Sequence, residues 1–272
     1  MRIYKIERGK SMVELKKDEM IKIAPLFKNM HDTVILSCLQ GHMGRAWTDN
    51  LENPKGAIIH VGTFCFIAGD DNSEQVSKLI EQILNLTGMN FAYVIPEKKG
   101  LGDLILLHFG DDCKVIQRYA IKKKEDEFDL EKLQSMITTL PNEYKLCPID
   151  GELYDKALEE DWSEDFVSNF LSKEDYIKRG IGRVITHEGK IVSGASSYSI
   201  YDEGIEIEIS TREDYRKQGL AQIVGAALIL ACREKNLYPS WDAANLISVQ
   251  LAQKLGYEYN GPYDTYMIRK PL

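Results

Sequence analysis

No stretch of this 272-residue chain approaches the roughly 20 consecutive apolar residues that a membrane-spanning helix requires. Its first residues, Met-Arg-Ile-Tyr-Lys-Ile-Glu-Arg, lack the apolar core of a secretory signal, so a cytoplasmic setting is expected and no membrane partner. Cysteine is sparse and scattered. Cys38, Cys65, Cys113, Cys147 and Cys232 are odd in number and never spaced as Cys-x-x-Cys, which argues against a disulfide framework and against a zinc site. They are expected to serve mostly as small buried hydrophobes. The five histidines, at 31, 42, 60, 108 and 187, form no ligand pair on one helix face, and no metal is expected. His31 and Cys38 have no surrounding motif that would make a nucleophilic pair of them. Positive charge is also short, with 34 Lys and Arg against 42 Asp and Glu, and the net charge of −8 disfavours nucleic acid as a partner. The deficit lies in the second half: residues 1–140 carry 19 basic and 20 acidic side chains, residues 141–272 carry 15 and 22.

What is present reads as mixed α/β. Residues 17–28 place Met20, Ile21, Ile23, Ala24 and Phe27 near helical spacing, and a second helical run follows at 31–39. Residues 41–47 read as an irregular connection and the apolar run 57–68 as strand. Ser73 is placed to cap a helix whose apolar positions are Val76, Leu79, Ile80, Ile83 and Leu84. A strand at 91–95, a helix at 101–109 and a strand at 113–121 complete a first half with a core of its own and no catalytic motif. The charge run Lys122–Glu127 is a linker or a solvated turn, and a short helix at 129–140 ends at Pro141. The expected units are an N-terminal α/β domain over 1–130 and a second domain over 140–272.

The second half offers a strand at 144–149, helical runs at 153–158, 164–171 and 173–178, and a hairpin, 182–187 with 190–201, turning at Glu188-Gly189. Strand 204–211 alternates Ile with Glu and runs into Arg216-Lys217-Gln218-Gly219-Leu220-Ala221, which opens an apolar helix over 220–235. The first N–H groups of a helix lack intrahelical partners and the helix dipole favours negative charge there, so this turn is an anion-binding device. A strand at 238–242, a helix at 245–255 and closing strands at 257–260 and 263–268 follow.

Arg216, Gly219 and Ala221 fit the spacing [Arg/Gln]-x-x-Gly-x-[Gly/Ala], the acyl-CoA signature of the GNAT superfamily of N-acetyltransferases. Asn245, Ser248, Leu251, Lys254, Leu255, Gly256 and Tyr257 resemble the other half of that site, in the family's order and one helix later. The Ile-Glu-Ile-Glu-Ile strand and the Trp241-Asp242 pair are similar to the branch typified by the zwittermicin A resistance protein. The resemblance covers the last half of the chain well and the first half loosely. It implies a GNAT fold, a mixed and mostly antiparallel sheet flanked by helices, preceded by a smaller α/β domain. It also implies acetyl-CoA as co-substrate and transfer of the acetyl group to the primary amine of a small molecule, with an aminopolyol antibiotic as the branch's example.

Carried over residue by residue, the resemblance puts Ile209, Ser210 and Thr211 against the pantetheine arm. Arg216, Lys217, Gln218, Gly219, Leu220 and Ala221 hold the diphosphate, and Asn245 reaches the arm from the other side. Glu206 and Glu208 share one strand face and are general-base candidates, the alternative being a solvated outer face. The family's usual tyrosine general acid is replaced by Ala252. Ser248, Tyr257, Tyr263 or water remain as proton donors, and Ser248 is also readable as a small packed residue. Trp241 and Asp242 are acceptor-site candidates, Asp242 being equally able to cap the following helix. The acidic second half suits a cationic acceptor or simply solubility. A homodimer is a further expectation. The rival reading is an acyl-CoA-binding sensor or interaction module without turnover.

Overall fold

The apolar run at 57–68 folds as a hairpin, Gly56–Val61 with Phe64–Gly69, because Gly62 (φ 58°) lets the chain reverse after Val61. The computed structural model describes residues 3–6, 10–123 and 128–271, with side chains from residue 12 onward. Residues 124–127 of the expected linker lie outside the described residues. The chain divides into two units, residues 1–118 with 263–272, and residues 119–262. The last strand, Glu258–Arg269, therefore contributes its second half to the first unit, where the expected division had placed all of 140–272 together.

In the first unit, Lys10–Glu14 lies between Ile3–Ile6 and Arg45–Thr48, all antiparallel, and the hairpin follows. Phe64–Gly69 then pairs in parallel with Phe91–Pro96, which is met antiparallel by residues 266–269. The segment expected to be irregular at 41–47 thus enters the sheet from Arg45 onward, where Trp47 is fully buried. Helices Glu74–Glu81, Ile83–Thr87 and Lys99–Phe109 cover one face through Val76, Leu79, Ile80, Ile83, Leu101 and Ile105. Ser73 holds the expected cap position, although its hydroxyl donates to Gln75 Oε1 at 3.0 Å instead of capping. Residues Lys17–Phe27 form a 3₁₀ helix with Pro25 inside it. That tighter winding buries Met20, Ile23 and Phe27 and leaves Ile21 in solvent.

The second unit is built on a five-stranded sheet in the order Tyr238–Ser240, Gly204–Thr211, Lys190–Tyr201, Gly182–His187, Tyr144–Pro148. Neighbours run antiparallel except the first two, which are parallel. Glu188 (φ 49°) and Gly189 (φ 78°) make the tight turn read from the sequence. Helix Leu220–Glu234 packs on the face bearing Ile205, Ile207 and Ile209. Gly225 permits the close approach, since a Cβ there would meet Leu255 Cδ1 at 2.9 Å and Ile209 Cδ1 at 3.3 Å. The opposite face is covered by Glu164–Phe166 and Lys173–Arg179: Ser196 Oγ donates to Phe166 O at 2.6 Å and lies 2.9 Å from Tyr176 Oη.

The helix expected over 164–171 is a single 3₁₀ turn, Glu164–Phe166. Asn169 donates to Tyr198 O at 3.1 Å, and Ser172 caps the next helix by accepting from Asp175 N–H, so the chain has to leave the helical path before 172. The closing strands expected as two pieces form one continuous element, Glu258–Arg269. Of the cysteines, Cys38, Cys65 and Cys232 are buried and Cys113 and Cys147 half-buried, all as free thiols. No described helix is long and apolar enough to cross a membrane.

Candidate active site

The strand Gly204–Thr211 keeps a partner along its whole length on one side and for three residues on the other. Toward Lys190–Tyr201 it is paired from Gly204 to Thr211, with a register shift between Ser197 and Ser199. Toward Tyr238–Ser240 the ladder holds Gly204, Ile205 and Glu206 and ends there. The neighbouring chain turns away at Trp241, and Asp242 and Ala243 pair instead with Ala120 and Tyr119. Beyond Glu206 the strand has no partner strand on that side among the described residues, and an open strand edge is a template for another extended chain.

Four interactions hold the turn-away point. Tyr257 Oη donates to Pro239 O at 2.6 Å. The Trp241 indole, 5% exposed, donates from Nε1 to Ser248 Oγ at 3.1 Å and meets the Tyr257 ring edge-on at 5.4 Å. Asn245 Oδ1 accepts from Ser248 N at 3.0 Å and caps helix Leu246–Lys254. Asn245 is therefore the cap that Asp242 was offered as, and Asp242 lies half-buried in its short strand pair.

At the other end of the gap is the N-terminus of helix Leu220–Glu234. Lys217 (φ 64°) and Gly219 (φ 80°) both take left-handed backbone, and Gly219 occupies the cap position without a side-chain cap. Nothing lies within 4 Å of where a Gly219 Cβ would be. An uncapped helix start behind a turn that faces open space leaves N–H groups for an anion. Arg216 Nε donates to Thr211 O at 3.1 Å, so this cation is tied to the strand end, whereas Lys217 is exposed.

The turn is held from residues that its local spacing did not mark. Tyr144 Oη donates to Gln218 Oε1 at 2.9 Å, and His187 Nδ1 lies 2.9 Å from Tyr215 Oη. Tyr144, His187 and Tyr215 form a ring cluster with centroids 5.0–6.3 Å apart. These partners are distant in sequence, and no short motif could have joined them.

Glu206 and Glu208 do share a face, the one opposite the helix Leu220–Glu234. Glu206 is 7% exposed and Glu208 half-buried, so the solvated-face alternative does not describe this strand. Tyr257 was an option as proton donor. Its hydroxyl is buried and donates to Pro239 O, and burial raises its pKa well above the ordinary tyrosine value, so the phenol keeps its proton and spends it on that carbonyl. Ser248 Oγ accepts from the indole, which leaves its own hydrogen to donate. Tyr263 belongs to the first unit. Among the described residues no group of three His, Cys, Asp or Glu side chains could hold a metal ion.

Known proteins resemble this chain along most of its length. A family model described as GNAT acetyltransferase matches residues 24–266. A protein of Bacillus subtilis (strain 168) described as an uncharacterized N-acetyltransferase, YdfB, is 28% identical over 271 residues, covering 93% of this chain and 97% of the relative. The crystal structure of a GCN5-related N-acetyltransferase-like protein from Streptococcus suis 89/1591 is 41% identical. It superposes with a TM-score of 0.84 over 93% of this chain and 99% of its own. A tandem GNAT protein from the clavulanic acid biosynthesis pathway, 9% identical with a TM-score of 0.54, shares the fold over 97% of this chain and 100% of its own. These matches do not favour the reading without turnover.

Proposed function

This chain belongs to the GNAT acetyltransferase family, and from that premise we propose that it moves an acetyl group from acetyl-CoA to the primary amine of a small molecule. The observation that carries the reading is the strand ladder that ends at Glu206 while the strand itself runs on to Thr211, beside an uncapped helix N-terminus. The residues fit the co-substrate: the open edge 207–211 matches an extended amide-bearing arm, and the turn 217–221 matches a diphosphate. Acetyl-CoA supplies an acyl group activated as a thioester.

In this reading the backbone of Ile207, Ile209 and Thr211 hydrogen-bonds the arm, together with Ser210 at the strand end. The amide near Ile209 faces the carbonyl oxygen as it gains negative charge. N–H groups of Lys217, Gln218, Gly219, Leu220 and Ala221 hold the diphosphate, with the cations of Arg216 and Lys217 beside them. Glu206, or Glu208 through water, takes the proton that the acceptor amine must lose. Ser248, its oxygen fixed by the Trp241 indole, donates a proton to the departing sulfur, the task left open by Ala252. Asn245 holds that helix start in place by its cap.

The acceptor is a small amine. The likeness of residues 205–257 to the zwittermicin A resistance branch brings forward an aminopolyol antibiotic, with Trp241 and Asp242 beside it. A cytoplasmic setting is part of the proposal. The test is release of free thiol from acetyl-CoA in the presence of amino alcohols, amino sugars, polyamines and peptide N-termini. Transfer to the small amines is expected, and a protein that binds acetyl-CoA yet acetylates none of the panel would overturn the assignment.

A further inference from the structure

A hydroxyl without a partner is costly inside a sheet, because folding strips it of water and returns nothing. Ser199 is such a group: it is fully buried, and its Oγ has no hydrogen-bond partner among the described residues. The other serines of strand Lys190–Tyr201 are all in use. Ser193 Oγ lies 2.8 Å from Thr211 Oγ1, Ser196 is bonded to Phe166 O and Tyr176, and Ser197 Oγ accepts Ile181 N–H at 3.1 Å.

The place of Ser199 gives this a direction. The register shift after Ser197 sets Ser199 opposite Glu206, and Glu206 lies opposite Ser240 on the next strand. Cross-strand partners share a face. Ser199, Glu206 and Ser240 therefore make one polar rung across three strands, at 0%, 7% and 6% exposure. Tyr201 Oη lies 3.0 Å from Ser240 Oγ and extends the rung. It is the last paired rung before the strands part, and half-buried Glu208 is the next side chain on the same face. A rung that served packing alone would carry Val or Ala here.

We propose that this rung is the subsite for the primary ammonium group of the acceptor, with Ser199 Oγ accepting one of its N–H groups. The inference rests on reading the adjacent gap as the acyl-donor site. A primary ammonium brings three donors and one charge. Ser199 and the Glu206 carboxylate take two donors and match the charge; once Glu206 has taken its proton, rotation about the C–N bond turns the freed lone pair toward the gap at Ile207, where the group to be transferred is held. A quaternary ammonium offers no donor to Ser199, and a neutral alcohol gains nothing from the carboxylate.

The test needs no turnover. n-Propylammonium and tetramethylammonium are titrated into the full chain, with and without CoA, by ligand-observed NMR, for the parent and Ser199→Ala. Thermal unfolding of both is followed in parallel. The parent is expected to bind n-propylammonium and not tetramethylammonium, and Ser199→Ala to bind it about tenfold more weakly, the loss of one hydrogen bond to a charged group. CoA affinity is expected to be equal in the two proteins. The melting temperature of the variant stays within about 2 °C of the parent or rises, because no bond within the protein is lost. Equal n-propylammonium affinity in parent and variant, or none in a folded parent, overturns the inference. So does a fall in melting temperature of more than about 5 °C with binding intact, which would mark Ser199 as structural. A parent that binds n-propylammonium but not CoA would instead overturn the acetyltransferase assignment of the neighbouring gap.

Discussion

Replacing Gly219 separates the conformational from the binding role of one residue. Its φ of 80° is left-handed, and no atom lies within 4 Å of a Cβ built there. Steric conflict inside the protein is therefore absent, and Gly219→Ala should cost the backbone penalty alone, about 1–2 kcal/mol. For a chain of this size that is a fall of roughly 2–4 °C in melting temperature per kcal/mol. Gly219→Asn should cost much less, since asparagine tolerates the left-handed region. Both variants put a side chain where the diphosphate would sit against the N–H groups of 217–221. Losing two charge-assisted hydrogen bonds, at about 1.5–3 kcal/mol each, weakens acetyl-CoA binding by on the order of 100-fold or more. Calorimetric titration of acetyl-CoA and thermal unfolding, on parent and both variants, read the two effects separately. The informative variant is Asn, expected to be nearly as stable as the parent and to bind poorly. If it bound acetyl-CoA within twofold of the parent, the assignment of this turn as the diphosphate cradle would be wrong.

Other consequences follow from the same contacts. Ser248→Ala strands the buried Trp241 N–H, a cost of about 1–3 kcal/mol, whereas Trp241→Phe removes the donor and leaves the half-buried Ser248 hydroxyl to water. A double-mutant cycle in urea should therefore give coupling between the two, and additive effects would contradict the bond. Tyr257→Phe should lower the urea midpoint by an amount equivalent to about 1–2 kcal/mol and leave the alkaline limb of the rate profile in place, since the hydroxyl's proton is committed to Pro239 O. A variant that lost that limb would restore Tyr257 as a proton donor. His60 is half-buried, with Nε2 donating to Gly62 O at 2.8 Å, and desolvation lowers its pKa from 6.5 to about 4. The unfolded chain binds a proton at this residue before the folded one does, so stability falls as pH drops from 6.5 toward 4, by up to about 3 kcal/mol. His60→Gln should remove that part of the acid slope in denaturant titrations, and an unchanged slope would refute it.

The parts of the site that lie within a few residues of one another were legible in the sequence. The strand 204–211, the helix start at 220 and the cap-and-helix at 245–254 stand where period and motif placed them. Each is decided by local chemistry: alternation, a left-handed glycine, an Asn cap. What escaped was set by distant partners. Tyr144 and His187 hold the turn at 215–218 from strands whose own sequences give no reason for it. The partial ladder beside Glu206 depends on where residues 242–243 find a partner, which is at 119–120, more than a hundred residues earlier. Nothing local marks Ser199 among the serines of its strand, and the register shift that sets it opposite Glu206 is not written in composition. The 3₁₀ winding at 17–27 likewise reflects an internal proline and burial of three side chains, which helical spacing alone does not distinguish from an α-helix.

The last strand has a consequence for how the chain is made. Residues 266–269 are the antiparallel neighbour of Phe91–Pro96 within the first unit. A ribosome therefore releases about 260 residues before that unit can be finished, and the second unit emerges complete ahead of it. The nascent first unit waits with one edge of its sheet bare, in the form most prone to stick to other chains. A stop codon in place of residue 263 would remove nothing from the second unit and would still leave the first permanently unfinished.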